Sequence, residues 1–157
     1  MEGVDRIYLD TNIFIAAFET NDNLSENLLE LVSIATRQSQ PRFVTSEMTL
    51  AELLVVPFRR NDTRLITLYG RILTTSPWLD VQPATRAIFS TAATLRAAVP
   101  SRKLPDAVHL ATAILSGCTH LLSSDKGIAP QSHEDISIRV LRPDEPTLTS
   151  LLESLAR

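Results

Sequence analysis

"IYLDTNIFIAAF", residues 7 to 18, decides how the chain begins to fold. Ile7, Tyr8 and Leu9 have the branched and aromatic character of a strand, and Ile13, Phe14, Ile15, Ala16, Ala17 and Phe18 are apolar enough to lie inside a domain. Asp10 stands at the join. An ionised carboxylate taken out of water without a partner is costly, so a buried one is expected to be paired, metal-bound or protonated. One reading makes Asp10 the N-cap of the following helix, accepting from the backbone N–H of Asn12 or Ile13, worth about 1 kcal/mol. The other makes it a catalytic or metal-binding group at the carboxyl end of a sheet strand, where open α/β folds carry their sites. Alone, the segment favours the cap.

Outward from that stretch, short apolar segments alternate with longer helical patterns, the arrangement of a parallel sheet covered by helices on both faces. Strands are predicted near 6–10, 42–45, 79–82, 119–124 and 137–141, with helices near 12–18, 24–38, 47–57, 62–75, 84–98, 105–116 and 146–156. Leu24, Leu28, Leu31 and Ala35 repeat as one helical stripe. Proline marks several joins: Pro41, Pro77 and Pro83 beside strands, Pro105 opening a helix, and Pro143 and Pro146 before the last helix. With 157 residues, 44% of them apolar, the chain is expected to form a single domain, 1–157, around one substantial core. Its four glycines form no phosphate-cradling loop, so the chemistry must come from side chains.

A net charge of −3 excludes a broadly basic nucleic-acid coat and leaves room only for a local basic surface. Thirteen of the fifteen basic residues are arginine, whose fork suits phosphate oxygens, although such a bias is also ordinary in composition. The lone Cys118 has no partner for a disulfide or a cysteine metal site, which points to a reducing compartment. Charged residues surround the apolar run at 13–18, so neither a signal peptide nor a membrane span fits; the expectation is a cytoplasmic protein.

The other acids fall in two settings. In "TSEMTLAELLVVPF", Glu47 follows Ser46 as a first-turn residue and has a sufficient structural reason in the helix dipole. Glu52 projects from an apolar part of the same helix, between Met48 and Val55 and Val56, and is hard to explain structurally. In "KLPDAVHLATAILSG", Asp106 sits in the first helical turn, where capping and function compete evenly; His109 on the same face reads as a hydrogen-bonded packing residue. Asp125 follows "HLLSS" as Asp10 follows "IYL", although with Lys126 and Gly127 it also has the makings of a turn. Strand ends and flanking helices can thus bring four carboxylates to one sheet edge. Two like charges about 4 Å apart cost on the order of 4 kcal/mol at an effective dielectric of 20, so such a cluster implies shifted pKa values or a bound cation. Hard oxygen ligands without Cys or His point to Mg²⁺ or Mn²⁺, whose usual work in such sites is phosphate-ester chemistry.

In order and spacing, "YLDTNIFI", "TSEMTLAELL", "LPDAVHLATAI" and "HLLSSD" resemble the PIN-domain ribonucleases, in particular the VapC-type toxins of toxin–antitoxin pairs, over nearly the whole chain. The resemblance implies a three-layer α/β/α sandwich with a central, mainly parallel five-stranded sheet. It implies a metal site of Asp10, Glu52, Asp106 and Asp125, supported by Thr11, Asn12 and Ser124, in which Mg²⁺ or Mn²⁺ activates water for attack on an RNA phosphodiester. No histidine base is then required, in keeping with the weak claims of His109, His120 and His133. Arg102, Lys103 and Lys126 become candidates for the RNA backbone, with Arg59, Arg60 and Arg64 as a second basic group, although each alone also reads as a solvated surface charge. The partners implied are an RNA substrate, an antitoxin protein and a second copy of the chain in a homodimer. The sequence departs from the family in having "KGIAP" after Asp125, where an aromatic residue is common, and in a 5% aromatic content that offers few base-stacking platforms.

Three other readings stand beside this one. They are a PIN nuclease of RNA processing, a non-catalytic PIN-like module whose acidic pocket holds a partner's arginine, and a haloacid-dehalogenase-like phosphatase. The last expects an aspartate two residues after the first, where this chain has Asn12. Neutralising Asp10 is expected to abolish catalysis while leaving the fold intact or more stable.

Overall fold

The computed structural model describes residues 5–128, 131–133 and 136–155. In chain order the elements are β1 Ile7–Leu9, α1 Thr11–Phe18, α2 Asn23–Ala35, β2 Phe43–Ser46, α3 Glu47–Arg60, α4 Thr63–Ile72, β3 Leu79–Gln82, α5 Arg86–Ala98, α6 Leu104–Leu115, β4 His120–Leu122, β5 Gln131–His133, β6 Ile136–Leu141 and α7 Glu145–Leu155. The sheet runs β3-β2-β1-β4-β6-β5, with the first five strands of that order parallel and β5 antiparallel on the edge. This is the five-stranded parallel sheet expected from the sequence, extended by β5, whose three residues are too short and polar to announce a strand.

β1 is central and buried on both faces, which is why its residues are uniformly apolar. Successive side chains feed opposite layers. Ile7, Leu9, Phe43, Leu79 and Leu122 pack with α1, α2, α4 and α7, while Tyr8, Val44, Leu121 and Ile138 pack with α5 and α6. Trp78 meets Phe43 edge-on in the first layer. Within the second, α6 is buried continuously from Ala107 to Ile114, and its alanines let it lie close to the sheet. Truncating Leu121, fully buried there, would cost about 2–5 kcal/mol.

The ends of α2, α3 and α4 depart from local expectation, α4 stopping at Ile72 rather than near 75. Proline rules place the end of α3 at Pro57, yet the helix continues through it to Arg60 and stops at Asn61, which takes the left-handed conformation (φ 52°). Arg59 and Arg60 therefore occupy the last turn, where positive charge suits the helix dipole. α2 ends three residues before its predicted limit, as Thr36 turns its hydroxyl onto the Ser33 carbonyl. Cys118 is buried, and burial pushes its thiol up to about 12, so it is chemically quiet. Among the described residues no helix is long and apolar enough to cross a membrane.

Topology selects one edge of the molecule. From β1 the chain moves outward to β2 and β3, then returns to the other side of β1 as β4. The carboxyl ends of β1 and β4 flank this reversal, the place where open sheets leave a crevice. Asp10 follows one, and Ser123, Ser124 and Asp125 follow the other.

Candidate functional site

Asp10 is 5% exposed and both of its carboxylate oxygens accept hydrogen bonds. It caps α1, but by accepting from the Thr11 N–H at 2.8 Å rather than from Asn12 or Ile13. That leaves Oδ2 for the Asn12 amide at 2.6 Å and the Ser123 hydroxyl at 2.6 Å. Both sequence readings of Asp10 thus describe one side chain: a cap on its α1 side and a polar anchor toward β4. Asn12 is the hinge of the arrangement, since its carbonyl oxygen accepts from the Ser124 N–H at 2.9 Å. Ser124 therefore contributes its backbone, while the hydroxyl that reaches Asp10 belongs to Ser123, a residue the sequence reading passed over.

Glu52 comes from the middle of α3 and is partly exposed. Its Oε2 receives the Thr11 hydroxyl and the His109 Nε2, the latter at 2.7 Å. His109, 2% exposed, receives in turn the Tyr8 hydroxyl at Nδ1, 2.7 Å away. An ionised Glu52 accepts only, so Nε2 carries the proton and Nδ1 accepts from Tyr8; a neutral imidazole in this tautomer satisfies every partner. His109 is the packing residue expected from its apolar neighbours and also the link between the core and an acid of the site. The local signal was present: His109 lies one turn after Asp106 on α6. Its partners, on β1 and α3, were invisible locally. Burial pushes the Glu52 carboxyl up, but the His109 and Thr11 hydrogen bonds outweigh it and hold the pKa below the ordinary glutamate range.

Asp106 and Asp125 make a different environment. Asp106 lies in the first turn of α6, half-buried, and burial together with the charges of Asp125 and Asp10 raises its pKa above the ordinary aspartate value. Asp125 is exposed on the loop after β4, its Oδ1 accepting from the Gly127 N–H at 2.7 Å. A Cβ at Gly127 would sit 3.2 Å from that oxygen, so a side chain there would press on the carboxylate. Asp106 and Asp125 open onto a cleft lined also by Arg102, Lys103, Val99, Leu110 and Ile128. Arg102 is partly committed to the Leu95 carbonyl at 3.0 Å, while Lys103 is exposed at the start of α6. Lys126 is exposed beside Asp125. Arg59 and Arg60 lie roughly 10 Å farther along α3 from Glu52, at 1.5 Å per residue. Arg64 lines a separate shallow groove on α4 with Thr67 and Arg71.

The donor set facing this edge is carboxylate oxygen, which suits a hard divalent cation such as Mg²⁺ or Mn²⁺. Among the described residues, no three His, Cys, Asp or Glu side chains stand at metal-holding spacing. The charges of Asp125 and Asp10 add to burial in raising the Asp106 pKa, and a cation among these acids would relieve that repulsion.

A PIN-domain family model matches residues 7–131, a span that contains all four acids and the central strands. The chain belongs to the PIN-domain family. No curated protein sequence matches it. Among solved structures, this PIN domain is similar to Mycobacterium tuberculosis VapC20, described as a sarcin-ricin loop cleaving toxin, with 20% identity and a TM-score of 0.60 over 76% of this chain and 90% of that one. It is similar to a toxin–antitoxin complex from Klebsiella pneumoniae, with 22% identity and a TM-score of 0.61 over 88% of this chain and 98% of that one. FitAcB from Neisseria gonorrhoeae gives 20% identity and a TM-score of 0.61 over 87% and 97%. At these identities the likeness concerns the PIN fold.

Proposed function

We propose that the chain is a divalent-metal-dependent endoribonuclease that hydrolyses RNA phosphodiester bonds and serves as the toxin of a toxin–antitoxin pair. The observation that carries the reading is the convergence of Asp10, Asp106 and Asp125, from three separate elements, at the switch point of a PIN sheet; burial, with the charges of the other two acids, also raises the Asp106 pKa.

In this reading Asp10, Asp106, Asp125 and the outer oxygen of Glu52 hold Mg²⁺ or Mn²⁺. When bound, the ion supplies an acidified water and offsets the charge growing on a phosphodiester. The protein's own work is positional. Asn12, Ser123 and the Thr11 N–H aim the Asp10 carboxylate, and Thr11 and His109 keep Glu52 ionised and fixed. Lys103 and Arg102 on the cleft wall, with Lys126 nearby, attract the RNA backbone, while the partly exposed Val99 offers apolar surface to a sugar or base.

The toxin role draws support from similarity in fold to a sarcin-ricin loop cleaving toxin and to a toxin–antitoxin complex. The antitoxin, a homodimeric state, action as one domain and a cytoplasmic site of action belong to this proposal. Purified protein is expected to cut single-stranded RNA with Mg²⁺ or Mn²⁺, to stop with EDTA, and to regain activity when the ion is restored. Cleavage that persists in EDTA would overturn the mechanism. Expression is expected to arrest growth, and co-expression of the small protein encoded beside it to relieve the arrest; a wild type that never slows growth would remove the toxin role and leave the nuclease.

A further inference from the structure

Arg142 follows β6, and its side chain crosses to the loop that leaves β4. Its Nη1 donates to the carbonyls of Ser123, at 2.9 Å, and Asp125, while Nη2 donates to the carbonyl of Ile128 at 2.7 Å. One guanidinium thus spans the whole turn that carries Asp125. The two chains already run together at this point, since β4 and β6 pair up to Leu122 and Leu141 and the Ser123 N–H continues the ladder to Leu141 O at 3.1 Å. Arg142 is therefore anchored at its base by the sheet and reaches a segment whose other ties are the Ser124 N–H to Asn12, the Asp125 N–H to Ser123 and, within the turn, the Gly127 and Ile128 N–H groups to Asp125. Ser124, Asp125, Lys126 and Gly127 are all exposed, and only Ile128 is buried at the far end of the turn. A loop with so little buried surface opens easily unless polar bonds fix it.

We infer that Arg142 is the positioning residue for Asp125, closing the acidic edge of the site by holding the carbonyl side of its loop; this rests on the nuclease reading above. The division of labour is visible in the bonds. The Ser123 hydroxyl accepts the Asp125 N–H at 3.0 Å and donates to Asp10, tying the amide side of the loop to β1. Arg142 ties the carbonyl side to β6. Between them the Asp125 backbone is held from both directions, and Gly127 then orients the carboxylate itself. A planar fork with several fixed donors suits this task, whereas a lysine ammonium presents its donors from a single point. Arg142 lies outside the stretch matched by the PIN family model, 7–131.

The test uses the full chain with Arg142→Ala and Arg142→Lys. The amide resonance of Gly127, bonded to the Asp125 carboxylate, reports the loop directly in metal-free protein. In Arg142→Ala it is expected to move toward the value of an unstructured glycine, and kcat on RNA to fall by about 10–100-fold with KM nearly unchanged, as when an outer support of a metal site is removed. Arg142→Lys is expected to fall between the two, and it supplies the measurement should the alanine variant not fold. In an Asp125→Asn background, Arg142→Ala is expected to add little further loss, because it acts through the residue already disabled. A wild-type Gly127 resonance together with wild-type kcat in Arg142→Ala would overturn the inference. So would a rise in KM with kcat unchanged, which would make Arg142 an RNA contact. If the wild type does not cleave RNA, the nuclease reading fails, while the Gly127 resonance still decides whether Arg142 sets the loop.

Discussion

Two arms of the proposed site are built on opposite principles. In the Glu52 arm the carboxylate is locked by Thr11 and by His109, itself fixed by Tyr8 from the core, and its pKa is held down. In the Asp106 and Asp125 arm the carboxylates face a cleft and one another, and the Asp106 pKa is pushed up. Asp10 stands between them, with donors on both oxygens and a charge that adds to the repulsion on Asp106. The first arm is complete as folded; the second gains from an added cation. A fold can therefore keep a repelling cluster by rigidifying part of it and leaving the remainder open to solvent, where the penalty is screened.

The contrast is broken most severely at its centre. Asp10→Asn is expected to lower RNA cleavage by about 10³-fold or more, since an ion of this kind supplies several kcal/mol to the transition state and each 1.36 kcal/mol is tenfold. The same variant tests the expectation that neutralising Asp10 would stabilise the fold. Its carboxylate accepts from Thr11, Asn12 and Ser123, and an amide presents only one acceptor, so stability is expected to fall by about 1–2 kcal/mol, read by urea unfolding of the metal-free protein.

Unlocking the first arm comes next. His109→Ala is expected to reduce kcat by about 10–100-fold by releasing Glu52, and Tyr8→Phe to reduce it less. Tyr8→Phe leaves Nδ1 buried without a donor, at a cost of about 1–3 kcal/mol in stability. The ¹⁵N shifts of His109 are expected to show the proton on Nε2 in the wild type and a mixture of tautomers in Tyr8→Phe.

A smaller effect, with opposite signs in the two arms, is expected from pH. Glu52 has a folded pKa below its unfolded value, so its contribution is present above about pH 4.5 and is lost as pH falls through the depressed value. Asp106 has a folded pKa above its unfolded value, so it is without penalty below pH 3.8 and destabilises as pH rises through the raised value. Urea unfolding in EDTA between about pH 3 and 7 is expected to show Glu52→Gln losing part of the acid-side fall and Asp106→Asn losing part of the decline toward neutrality. The same direction in both variants would dissolve the distinction between the arms.

The smallest effects belong to the basic residues. Lys103→Ala, on the wall of the open arm, is expected to weaken RNA binding and to reduce the slope of log affinity against log salt by about 0.7, the share of one contact to a single strand. Arg59→Ala and Arg60→Ala, at the far end of α3, are expected to change affinity by less than about twofold, the range of ordinary surface substitutions.

Much of this was legible in the sequence because it is local. Three consecutive apolar residues before Asp10 specify a strand buried on both faces, and Pro105 with Asp106 opens a helix whose small and branched residues call for burial. Acids placed just after strands follow from the same pattern. The end of α3 was not legible, since a proline is an unfavourable but survivable local event when the turn after it is capped by Asn61. The family resemblance implied Ser124, whereas the hydroxyl that faces Asp10 is that of Ser123; along a strand end a shift of one residue changes which side chain faces the site.

By itself, then, the sequence determined the alternation of strands and helices, the sheet edge that would carry charge, and the four acids. Only the tertiary structure decided how those acids differ. His109 meets Glu52 across 57 positions of chain and Tyr8 across 101, and Arg142 reaches Ser123 across 19. Hydrogen bonds of that separation leave no periodicity behind, because they depend on where the sheet brings distant strand ends together rather than on the residues beside them.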